Sequence, residues 1–113
     1  MADPQTVKDD TFEVLKLTRK QLNSATFLYE LRSASAAERD QALHAITDTA
    51  LAVQDFRKAR LDAIATEMSG QSAGIVKATK DLRKALADLE KIKPILDGAT
   101  ALLKIVARIL AVV

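Results

Sequence analysis

The sequence predicts an all-α protein of three long helices, arranged as an antiparallel (up-down-up) bundle or extended helical hairpin. Large aliphatics recur every seven residues at Ile75, Leu82, Leu89, Leu96, Leu103 and Leu110, and the residue three places after each is apolar too, Val106 among them. Such a stripe marks a helix that must be covered by another. The chain has only 3 Gly and 2 Pro, so few positions resist helix. Its apolar residues are mainly Ala, Leu, Val and Ile, and Trp is absent. Ala and Leu mixed with Lys, Arg and Glu is a helix-forming composition. A length of 113 residues suits a single helical domain spanning 1–113.

Each element has its own signals. Residues 1–10 are polar, with Asp3, Asp9 and Asp10, and read as a flexible arm. Asp10 and Glu13 have capping-box spacing, which places a first helix at about 10–32. Phe12, Leu15, Leu22 and Tyr29 share one face of it, and Val14, Leu17, Leu28 and Leu31 form a neighbouring stripe. Ser35 and Glu38 repeat the capping spacing and open a second helix, expected over about 36–69. Leu43, Ile46, Ala50, Val53, Leu61, Ile64 and Met68 are its expected apolar positions. Gly70 and Ser72 supply a C-terminal stop and a new cap, so a third helix is expected over about 72–113.

Pro94 interrupts that third helix, yet the seven-residue register runs through it. The reading is a kinked continuous helix, bent near Pro94 with Gly98 adding compliance. The alternative is two helices parted at Lys93 and Pro94. With three helices of these lengths, residues 57–86 lack a third-helix cover from their own chain, and another chain is expected to supply it.

The residue inventory argues against an enzyme, and no catalytic, cofactor-binding or metal site is assigned. Cysteine is absent, which removes thiol chemistry and thiolate ligands. His44 is the lone histidine, with Asp40 and Asp48 four residues to either side, a spacing that also suits ordinary surface pairing. Gly70 and Gly74 punctuate helices and form no phosphate loop.

Three stretches are candidates for interaction. The first is the seam of Ile75, Leu82, Leu89, Leu96, Leu103, Val106 and Leu110, expected at the centre of a homo-oligomer, with a dimer favoured. The second is a basic tip of Arg57, Lys58, Arg60, Lys77, Lys80, Arg83 and Lys84, a candidate contact for anions. It lacks aromatics for base stacking, so nucleic acid is disfavoured as a partner. The third is the tail. From residue 99 to 113 only Thr100, Lys104 and Arg108 are not apolar. At about 22 Å it falls short of the roughly 30 Å of a bilayer core, but it could lie in an interface.

The leading functional expectation is a non-enzymatic interaction or scaffold module acting through helix–helix packing, with a further protein partner allowed. The alternative is a membrane-active protein that engages lipid through the apolar tail. The polar start lacks the pattern of a secretory signal. A cytoplasmic location is therefore expected, with signal-independent export or membrane association left open.

Overall fold

The computed structural model describes the backbone of residues 4–58 and 61–112, and the side chains of residues 6–58 and 73–111. All regular structure among them is helical. The order is α1 (Pro4–Leu22), α2 (Ala25–Leu31), α3 (Ala36–Lys58), α4 (Leu61–Ala85) and α5 (Ile92–Val112). The all-α class is thus as expected, whereas three long helices have become five.

The four longer helices pack in a ring. α1 touches α3 and α4, α5 touches the same two, and short α2 rests on α1 and α5. Their inward faces form one core. Leu82 lies against Gly98, and Gly74 against Ile105, so α4 and α5 run antiparallel. Phe12 of α1 stacks on Phe56 of α3, with centroids 5.6 Å apart and planes 11° from parallel.

α1 starts at Pro4, well before the expected cap at Asp10. Pro is at home in a first turn, where its missing N–H has no partner to lose. Val7 is buried, so the core stripe begins one turn ahead of Asp10. The expected arm is therefore helical from residue 4, and residues 1–3 lie outside the described residues.

The first helix then ends early. Asn23 donates to the Arg19 carbonyl at 2.7 Å. Ser24 accepts from the Phe27 N–H at 3.3 Å and caps α2. This break shifts the helical phase. Leu15 and Leu22 are buried as their stripe requires, but Tyr29 is left 67% exposed and Phe27 enters the core in its place.

The next start agrees with expectation. Ser35 accepts from the Glu38 N–H at 3.1 Å, and its hydroxyl donates to the Glu38 carboxylate at 3.1 Å. The expected second helix over 36–69 is nevertheless divided. α3 stops at Lys58, and α4 runs from Leu61 straight through residues 69–72. A single helix over 36–69 would be about 50 Å long. That exceeds the longest dimension of the molecule, 42 Å, and would carry its far half beyond the other helices. Gly70 costs about 1 kcal/mol inside a helix. Burial of Ile75, Ala78 and Leu82 further along α4 outweighs it.

The expected third helix is also divided. Residues 86–91 form a turn in which the Glu90 N–H donates to Asp88 Oδ1 at 3.2 Å. Pro94 then lies in the first turn of α5 and kinks nothing. In the described part of the expected uncovered tip, α4 is flanked by α1 and α5 of its own chain, and the side chains of residues 59–72 lie outside the described residues.

Candidate functional site: an open groove between α3 and α5

α3 faces the core with small residues. Ala42, Ala45, Thr49 and Ala52 are buried, joined by Val53 and Phe56 towards its end. Of its larger aliphatics, Leu43 is 61% exposed and Leu51 51% exposed. The expected apolar positions Leu43 and Ala50 are therefore on the outside, while Val53 is inside. The side chains of Leu61, Ile64 and Met68 lie outside the described residues.

Between α3 and α5 this arrangement leaves an open groove of about 840 Å³. Its floor is apolar and shallow in side chain, with Ala45 and Ala52 from α3 and Val106 from α5, and half-buried Leu103 and Leu110 edge it on the α5 side. Leu51 stands on the α3 wall, and Ala107 and Ala111 line the α5 wall. Small residues along a seam let another backbone approach closely. At one end, Gln41 Nε2 donates to Thr100 Oγ1 at 3.2 Å across the groove. The walls continue to Asp55 on α3 and Ala111 on α5, so the two helices run in the same direction.

The walls differ in charge. The α3 wall carries Asp48 and Asp55 together with His44, and the α5 wall carries Lys104. Among the described residues, no three His, Asp or Glu side chains gather closely enough to hold a metal ion.

The seam residues are distributed differently from expectation. Ile75, Leu82, Leu96 and Val106 are buried within the chain itself. Leu89 is half-buried on the 86–91 turn, while Leu103 and Leu110 are half-buried and line the groove. Among the described residues, this end of the seam lies half-buried beside the groove.

The basic residues do not converge on a single pocket. Arg57 sits 5.9 Å from the Phe12 ring, on the α3 side of α1. Arg83 pairs with Asp10 at 2.6 Å, on the α4 side. Lys77 pairs with Asp81 at 3.6 Å. Lys80 and Lys84 edge a shallow hollow of about 360 Å³ that also contains Asp10 and Arg83. Lys58 is exposed, and Arg60 lies outside the described residues.

The tail forms most of α5. Ala99, Leu102, Val106 and Ile109 are fully buried in the bundle. Among the described residues, no helix is long and apolar enough to cross a membrane.

The groove was not legible as a site because its α3 wall mixes Ala, Leu, Asp and His without a clean period. The available signal was the run Ala42, Ala45, Ala52 in phase, with Leu43 and Leu51 out of phase. No known protein family, no curated protein sequence and no solved structure matches this chain.

Proposed function

We propose that this chain is a non-enzymatic interaction module that works by helix–helix packing, and that the α3/α5 groove is its docking face. The observation that carries this reading is the exposed, alanine-floored groove edged by Leu51, Leu103 and Leu110. Grooves of this kind accept the apolar ridge of an amphipathic helix, while polar groups on the rim set its orientation. Half-exposed Leu51, with half-buried Leu103 and Leu110, gives such an incoming ridge an apolar surface to cover.

The membrane-active alternative draws on the apolar character of α5. It requires α5 to leave the bundle, which exposes Leu102, Val106 and Ile109 at on the order of 1.5–3 kcal/mol each. Docking into the groove needs no such opening, and for that reason it is the preferred reading.

A photo-crosslinking amino acid in place of Leu51, used in the cell that makes the protein, tests it. The expected product is an adduct with a polypeptide of discrete mass, reduced by a Leu103→Glu substitution on the facing wall. Adducts with lipid alone would favour the membrane reading. The absence of any discrete adduct would overturn the docking reading.

A further inference from the structure

Resting on the reading of the groove as a docking face, we propose that its occupant is a second copy of this chain, related by a two-fold axis lying along the groove. The charges on the two walls choose both the partner and the axis. Asp48 and Asp55 make the α3 wall acidic. Lys104 makes the α5 wall basic, and exposed Arg108 follows it one turn later. The groove therefore presents opposite charges on its two walls, a pattern that suits a self-complementary surface.

The register fits as well. Gln41 meets Thr100 across the groove, and the two helices run in the same direction. Advancing both by seven residues brings Asp48 level with Ala107, between Lys104 and Arg108 along the axis. A two-fold axis parallel to the helices lays α3 over the second copy's α5 and preserves that level. Asp48 then faces the second copy's Lys104 and Arg108, while Leu51, Leu103 and Leu110 close the apolar centre. An axis across the groove would instead lay α3 over α3, bringing the acidic walls together. Like charges facing each other oppose that arrangement. The same acidic wall disfavours an anionic lipid surface as the occupant.

Sedimentation across a concentration range, with wild type, Asp48→Lys, Lys104→Asp and the double variant, tests the proposal. Both positions are exposed, so the variants should keep the fold, and helical circular dichroism checks this. The expected result is a wild-type dimer, about tenfold weaker in each single variant, as for close charge pairs at an interface. The double variant regains part of the affinity lost in the single variants, because the charges swapped at positions 48 and 104 meet again across the axis while the unchanged Arg108 still opposes a cation at position 48. A wild type that stays monomeric at about millimolar concentration overturns the proposal, as does a dimer indifferent to both single variants. A crosslink from position 51 to some other polypeptide also overturns it, yet leaves the docking reading of the groove in place.

Discussion

Buried threonines show how polar atoms are tolerated in this core. Thr11 and Thr18 each donate to the carbonyl four residues earlier at 2.7 Å, and Thr79 does so at 3.0 Å. Thr49 is fully buried, and its hydroxyl has no hydrogen-bond partner among the described residues. An unmet buried hydroxyl costs about 1–3 kcal/mol. Thr49→Val keeps the shape and removes the hydroxyl, so it should stabilise the protein by about 1 kcal/mol in urea denaturation. Thr18→Val, which deletes a satisfied hydroxyl, should show no such gain. A loss at Thr49 equal to that at Thr18 would contradict this account. Two glycines offer a second contrast. Among the described residues, a Cβ at Gly74 would meet Ile105 Cδ1 alone, at 3.8 Å, an ordinary contact. A Cβ at Gly98 would lie 3.2 Å from Leu82 Cδ1 and 3.4 Å from Leu82 Cα, where backbone limits relief. Gly74→Ala should therefore gain up to about 1 kcal/mol from helix propensity. Gly98→Ala should lose stability through overpacking. Equal gains at both sites would show that α4 and α5 can move apart freely.

At the scale of elements, the sequence and the structure part over helix ends more than over helix existence. Ser35 and Glu38 were legible because a cap is a local device, complete within four residues. Gly70 was misleading because a lone glycine only biases a helix, and burial of the residues beyond it decides. Pro94 was misleading for a different reason. Its neighbours keep the seven-residue register in the sequence, which conceals the turn at residues 86–91, although past that turn the fully buried positions include Leu102 and Ile109 while Leu103 and Leu110 are half-buried. Asp88 and Glu90 were the local signal for that turn, since an Asp side chain can accept from the backbone two residues on. Placing Pro94 in the first turn of a new helix would have found the break. Pro94→Ala should consequently change stability by no more than about 0.5 kcal/mol in thermal or urea denaturation. A substitution that straightened a kinked helix would disturb packing on both sides and give a larger change.

At the scale of the whole molecule, what matters is which apolar surface the ring of helices covers and which it leaves. The seam from Ile75 onward is largely closed inside the chain, and of its residues that line the groove Val106 is buried while Leu103 and Leu110 are left half-buried. The surface ion pairs, such as Arg83 with Asp10, contribute little to holding the ring together, on the order of 1 kcal/mol or less each. Association through oppositely charged walls should instead weaken as salt rises, since exposed charges are screened over roughly 10 Å at 0.1 M. A dimer whose dissociation constant does not rise between low and moderate ionic strength would argue that the walls do not pair. By itself the sequence determined the helical class, the start of α3 and the heptad stripe, because composition, caps and periodicity act within a few turns. The tertiary structure alone decided where α3 gives way to α4, which face of α3 turns inward and hence that a groove exists. α3 carries apolar residues on more than one side, so its local preferences are nearly balanced. The inward choice of Ala42, Ala45 and Ala52 follows from how closely α1 and α5 can pack against small side chains, and it is this choice that leaves Leu51 outside.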